Sequence, residues 1–275
     1  MIIKRPLIIC SCHIVLLLLV ACGNDVSKDN SAVGSPARKD SLVAILEKAV
    51  EKYPDSAALK IKLGDAYDKA GETDKALYIF EGLLVIDSLN PGLYNRKAGL
   101  LLYMGDTAGS VSTIVQSLGL DDTQEELWLE LGFLYADQKN VKALRVADRL
   151  IKTSTDERVV TRARYLTGIY YSNTGELQKA LTAFNDCILN DYSFIDAYLE
   201  KGILLYGQKK YTDALGTFEK ARAISNTNAD AYFWTGKTYE ALNKIPEAIE
   251  FYKKALGLDD TIAEAEERLK NLEKK

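Results

Sequence analysis

Residues 195–228 read IDAYLEKGILLYGQKKYTDALGTFEKARAISNTN, and residues 229–262 read ADAYFWTGKTYEALNKIPEAIEFYKKALGLDDTI. Laid over one another without a gap, Asp196-Ala197-Tyr198 meets Asp230-Ala231-Tyr232, Gly202 meets Gly236, Ala214 meets Ala248, Phe218 meets Tyr252 and Ala221 meets Ala255. Each copy carries two apolar stripes at helical spacing with a polar turn between them, so the unit is a helical hairpin of 34 residues. A chain of such hairpins is all-α and needs no single large core, because each unit is stabilised by its neighbours.

Working outward, one small residue per first helix keeps the phase: Gly64, Ala98, Gly132, Gly168, Gly202 and Gly236, with gaps of 34, 34, 36, 34 and 34. Ala76, Ser110, Ala143, Ala180, Ala214 and Ala248 recur on the second helices and are expected to meet them, since a close helix crossing needs small side chains. Large residues surround that contact: Tyr67, Leu101, Tyr135, Tyr171, Leu205 and Tyr239 on first helices, Phe80, Ile114, Phe184, Phe218 and Tyr252 on second ones. An aromatic stripe at this spacing is core.

Two units depart from the pattern. In residues 91–124, Gly109, Ser110, Ser112, Thr113 and Ser117 weaken the second helix, and this unit is expected to be the most mobile. In the third unit Gly132 and Ala143 are one residue closer than their counterparts, and the loop around Lys152 to Val160 is expected to be longer, changing the pitch of the array.

The period and its small-residue and aromatic skeleton resemble the tetratricopeptide repeat family. That resemblance implies a right-handed α-solenoid of about six helix-turn-helix repeats, at 57–90, 91–124, 125–160, 161–194, 195–228 and 229–262, with capping helices at 41–56 and 263–275. For the first cap, Leu42, Ile45, Leu46, Ala49 and Val50 form the expected apolar face; for the last, Ala265, Leu269 and Leu272. The resemblance also implies that first helices line a concave inner surface that holds protein partners. Carried over residue by residue, the partner-binding groove contains Leu129, Phe133, Tyr165, Ile169, Leu199, Ile203, Tyr206 and Phe233, flanked by Ile61, Asp65, Asn95, Gly99, Lys237 and Glu240. The basic and asparagine clamp with which some members hold a carboxyl terminus is not matched, because Ile61 and Asp65 stand at its first places.

Upstream, Lys4 and Arg5 precede an apolar run to Ala21, and Leu19-Val20-Ala21-Cys22 follows. This is similar to a bacterial lipoprotein signal with its lipobox, removed as residues 1–21; the run is short of the ~20 residues a spanning helix needs. The resemblance implies that Cys22 carries the lipid anchor, and that Gly23 after it favours the outer membrane. An uncleaved membrane anchor is the alternative. Residues 22–40 are polar, with Ser, Asn, Gly and Pro, and read as a flexible linker.

Composition narrows the chemistry. Lys and Arg number 35 against 39 Asp and Glu, a net of −4 that gives no pull toward nucleic acid. The one histidine, His13, lies in the leader, and Cys187 falls at a small core position of a second helix, so general-base, triad and zinc schemes lack their usual members. No catalytic residue, metal ligand, cofactor or small-molecule substrate is expected. The adjacent acids Asp121-Asp122 and Asp259-Asp260 read as turn residues. The reading is therefore a lipid-anchored envelope scaffold that grips another envelope protein, as similar lipoproteins serve as assembly factors or adaptors. A soluble interaction module and an enzyme are the alternatives.

Overall fold

The computed structural model describes residues 36–274. The expected signal segment 1–21, the expected lipidation at Cys22 and the expected linker up to residue 35 lie outside them. The described residues form fourteen helices: α1 (Pro36–Lys52), α2 (Ala57–Ala70), α3 (Thr73–Ile86), α4 (Pro91–Tyr103), α5 (Thr107–Leu120), α6 (Glu125–Asp137), α7 (Lys142–Thr153), α8 (Glu157–Thr174), α9 (Leu177–Asn190), α10 (Ile195–Gly207), α11 (Tyr211–Ile224), α12 (Ala229–Ala241), α13 (Ile245–Leu258) and α14 (Ala263–Leu272). The pairs α2–α3 through α12–α13 are six hairpins stacked side by side, flanked by α1 and α14.

Local sequence sets the helix ends. Asn90, Asp106, Asp156 and Asn228 precede first or second helices and accept backbone N–H bonds from Gly92, Gly109, Arg158 and Ala231 at 2.8–3.1 Å. These oxygens satisfy donors that the helix itself leaves open. Between hairpins, Asp121, Asp191 and Asp259 each accept from the Thr or Ser two residues on. Those bonds hold the Asp121 and Asp259 carboxyls below the usual carboxylate range. Within each hairpin the turn contains one residue of positive φ: Gly71, Gly105, Lys139, Gly175, Lys209 and Asn243, all at the same place in the repeat.

The hairpins close by a contact different from the one the spacing suggests. A Cβ on Gly64, Gly168 or Gly202 would fall within 2.4–2.6 Å of the ring of Phe80, Phe184 or Phe218, sixteen residues further on. The glycine therefore makes room for a ring, while the alanines opposite, Ala76, Ala180, Ala214 and Ala248, are fully buried behind it. Gly236 is looser, with the Tyr252 ring at 3.0 Å and the Ala248 carbonyl at 3.3 Å.

Three expectations need correction. The residues gained in the third unit lengthen α8 by a turn at its start; they do not lengthen the loop, because Asp156 caps the helix and Val159 and Val160 are buried. Helix α1 begins at Pro36, inside the stretch assigned to the linker; proline is compatible with a first helical position, and Ala37, Arg38 and Lys39 favour helix. Its buried stripe is Val43, Leu46 and Val50, while Leu42 and Ile45 are exposed, so the apolar face is turned by one residue. At the other end, Ala265 and Leu272 are buried with Leu269 beside them.

Successive hairpins join chiefly through the second helix of one and the first helix of the next, and first helices also meet directly at α6–α8, closely, and at α10–α12, lightly. Where like helices of successive hairpins meet closely they are first helices, which puts these on the inner side there, unevenly around the lengthened α8.

Candidate functional site

The inner surface is built from first helices, and the repeat decides which of its side chains stay open. Leu129, Leu199 and Phe233 occupy the fifth place of their hairpins and are buried, at 0%, 9% and 7% exposure, so they close the joint between hairpins and do not line a groove. Tyr165, at the same place in the fourth hairpin, is half-buried. Four places further on, Phe133, Ile169 and Ile203 remain partly open, as does Tyr206 one turn later.

The open residues are joined into a run of rings. Phe133 and Tyr165 lie 6.0 Å apart at 55°, and Tyr165 meets Phe194 edge-on at 5.3 Å and Phe184 at 5.7 Å. Toward the end of the array, Tyr206 meets Trp234 at 5.7 Å and Tyr211 at 5.2 Å. Rings in tilted and edge-on contact fix one another's orientation beyond what area burial alone achieves. Phe194, Tyr211 and Trp234 were not visible as groove residues in the sequence.

Trp234 belongs to a set that spacing did not single out, the sixth place of the first helix. Arg96 lies over Phe80 at 5.9 Å, Trp234 stacks on Phe218 at 6.0 Å and 15°, and Leu166 covers Gly132. Each reaches back across the preceding hairpin's glycine or ring, so this place joins one hairpin to the next. The signal available was the recurrence of a bulky residue immediately after the fifth place.

Charge along the inner side is partly spent on the array itself. Asp65 is paired with Arg96 at 2.8 Å. Asn95 donates to Gln124 at 2.7 Å and accepts from Ser117 at 2.6 Å. Gly99 is exposed. Glu126 pairs with Arg162 across neighbouring first helices. Lys237 pairs with Glu264 at 2.8 Å and lies 4.5 Å from the Trp234 ring and 5.3 Å from that of Phe233. Glu240 accepts from the Tyr252 hydroxyl at 2.8 Å and pairs with Arg268. Further along the row of Glu126 and Arg162, Asp196 and Asp230 have no cation in contact among the described residues. Lost hydration and the next acid along (Asp230 for Asp196, Asp259 for Asp230) raise both carboxyls above the usual range.

Elsewhere the chemistry is structural. Cys187 is fully buried, its thiol donates to the Thr161 carbonyl at 3.5 Å, and burial pushes its pKa up to about 12, so it carries no thiolate near neutrality. Among the described residues no cluster of three or more His, Cys, Asp or Glu could hold a metal ion. Nor is any described helix long and apolar enough to cross a membrane.

A run of helical hairpins joined by glycine, ring and sixth-place contacts defines a helical-repeat solenoid of the kind that binds other proteins. The tetratricopeptide repeat family model matches residues 43–91, 165–229 and 199–261, together more than half of the 275 residues. The chain belongs to the tetratricopeptide repeat family. Among solved structures, a tetratricopeptide repeat protein from Parabacteroides merdae is 22% identical, over 86% of this chain and 93% of that one, with a TM-score of 0.68. PilW, described as a widely conserved type IV pilus biogenesis factor, is 18% identical over 78% of this chain and 98% of its own, TM-score 0.62. Yeast Tom70 is 14% identical over 86% of this chain and 58% of its own, TM-score 0.59. At these identities the likeness is one of fold. No curated protein sequence matches the chain.

Proposed function

We propose that the chain is a docking scaffold whose inner face holds an apolar segment of another protein, and that a lipid on Cys22 fastens it to the bacterial envelope at the outer membrane. The observation that carries the docking reading is the half-open run Phe133, Tyr165 and Phe194, three rings held in register by a rigid array and continued by Ile169, Ile203 and Tyr206. Contiguous apolar area of that kind on a curved helical face suits an extended or helical partner segment. Asp196 and Asp230, without cations in contact and short of hydration, favour a basic residue in the segment beyond its apolar part.

The anchor rests on Leu19-Val20-Ala21-Cys22 after a short apolar run. Two or more acyl chains at Cys22 would make attachment stable at ~0.8 kcal/mol per buried methylene. Detergent fractionation of cells making the Cys22→Ala protein tests it. Release from the membrane fraction supports the anchor; sedimentation with membranes as before overturns it and leaves an interaction module without lipid. The groove is tested by Phe133→Glu, which should leave helical content unchanged and abolish partner capture in the intact envelope.

A further inference from the structure

An open cleft of about 480 Å³ is lined by α5, α6 and α7, using a stripe of α6 (Trp128, Leu131, Tyr135) other than the one that carries Leu129 and Phe133. Trp128 and Tyr135, two turns apart on α6, are its aromatic walls; buried Val146 of α7 also lines it, with exposed Val115 and Gly119 of α5 at its mouth. Val115 is exposed, and a Cβ on Gly119 would meet nothing within 4 Å. Three cations rim it. Arg149 lies over the Trp128 ring at 4.5 Å and is paired with Asp122 at 2.8 Å. Among the described residues, Lys142, 5.4 Å from the Tyr135 ring, has no carboxylate in contact, and the Arg145 side chain makes no ion pair or hydrogen bond.

The repeat supplies an internal comparison. Tyr232, Tyr239 and Phe251 stand where Trp128, Tyr135 and Val146 stand three hairpins earlier, allowing for the shorter α6–α7 turn. There the space is filled. The Phe251 ring stacks on Tyr239 at 5.3 Å and 18° and on Tyr232 at 6.2 Å and 28°, and Arg222 covers it at 4.4 Å. The same architecture thus takes a flat ring between two flat rings with a guanidinium against it, an arrangement favourable for quadrupole and cation–π reasons. At the cleft the two walls and the cations are present and the middle ring is missing, because Val146 is too short to supply it.

We propose that this cleft is a second docking site, distinct from the inner groove, which accepts an aromatic side chain from a partner segment whose flanking residues are acidic. The ring enters between Trp128 and Tyr135, and the acids answer Lys142 and Arg145, the two cations left without counter-charge. Opposite charge at the rim selects the segment and the slot selects its ring.

The test uses the full chain in detergent and a fluorescein-labelled pentapeptide with one phenylalanine between two pairs of aspartates, read by anisotropy. Saturable binding is expected. Replacing the phenylalanine by alanine, or the aspartates by lysines, should weaken it at least about tenfold. Gly119→Leu, which fills the mouth from an exposed helical position, and Arg145→Glu should each weaken it by a similar factor without lowering the melting temperature. Phe133→Glu, in the inner groove, should leave it unchanged. Absence of saturable binding, equal binding of the alanine peptide, or indifference to Gly119→Leu would each overturn the proposal. None of these results bears on the inner groove.

Discussion

Leu166 Cδ2 lies 2.4 Å from the point a Cβ on Gly132 would occupy, so the third hairpin is closed by a side chain of the fourth. In the first, fourth and fifth hairpins the same task falls to the hairpin's own ring, Phe80, Phe184 or Phe218. In the third, Ala147 stands at the ring position and leaves the space that Leu166 enters. Leu166→Ala should therefore act as a core truncation, costing about 2–5 kcal/mol in urea unfolding. A loss below about 1 kcal/mol would show that Gly132 is not closed in this way.

The ring contacts also rank the glycines. Gly202→Ala meets the Phe218 ring at 2.4 Å and should cost about 1–3 kcal/mol by overpacking. Gly236→Ala meets the Tyr252 ring at 3.0 Å and should cost less. Gly216→Ala, mid-helix in α11 with nothing within 4 Å, should stabilise by about 1 kcal/mol through helix propensity. Equal melting temperatures for the three variants would contradict the assigned phase.

Ser110 is fully buried where the other hairpins have alanine, and its hydroxyl finds no partner among the described residues. Its neighbours differ: Ser117 donates to Asn95 and Thr113 to the Gly109 carbonyl. Ser110→Ala should raise stability by about 1 kcal/mol, since a buried polar group without a hydrogen bond is a net cost. Chemical denaturation measures it; a destabilised variant would show that the hydroxyl is satisfied after all.

Lys209 holds φ at 61°, at the place where Gly71 and Gly175 serve in other hairpins. Lys209→Gly should stabilise by roughly 0.5–1 kcal/mol, the relief of left-handed strain exceeding the entropy glycine adds to the unfolded chain. A lower melting temperature for the variant would argue against strain at this turn.

Glu130 is largely buried in α6, and burial alone holds its carboxyl above the usual range. The folded state thus binds this proton more tightly than the unfolded chain. Stability falls as pH rises from the unfolded pKa, about 4.3, through the raised folded value, and the penalty is absent below both. Glu130→Gln should raise the melting temperature at neutral pH and leave it unchanged at about pH 3. An identical difference at both pH values would contradict the assignment.

Much of this architecture is written in the 34-residue period, because a helical hairpin must repeat its small and aromatic residues at fixed places to nest. What the period hides is whatever varies at a fixed place. The left-handed turn position is glycine in three hairpins but Lys139, Lys209 and Asn243 in the others, so composition conceals it. Arg96, Leu166 and Trp234 share a place but no chemistry, and only their contact with the preceding hairpin shows a common task. For the groove, spacing places Leu129 and Phe133 on one face, yet at the fifth place Leu129, Leu199 and Phe233 are buried while Tyr165 is half-open, and at the ninth Phe133, Ile169 and Ile203 stay partly open. That difference depends on how deeply neighbours nest, a property of three-dimensional packing and not of periodicity. The extra turn of α8 looks like loop in the sequence for a related reason: Val159 and Val160 count as helix only once something buries them.

The docking account is tested most directly by a photoactivatable phenylalanine analogue placed at Phe133 on the inner face and, as a control, at exposed Tyr78 on a second helix. In intact cells, position 133 should give one discrete protein adduct that disappears with Tyr165→Ala, and position 78 should give none of it. The same adduct from both positions, or none from position 133, would contradict the claim that the ring-lined inner surface holds the partner.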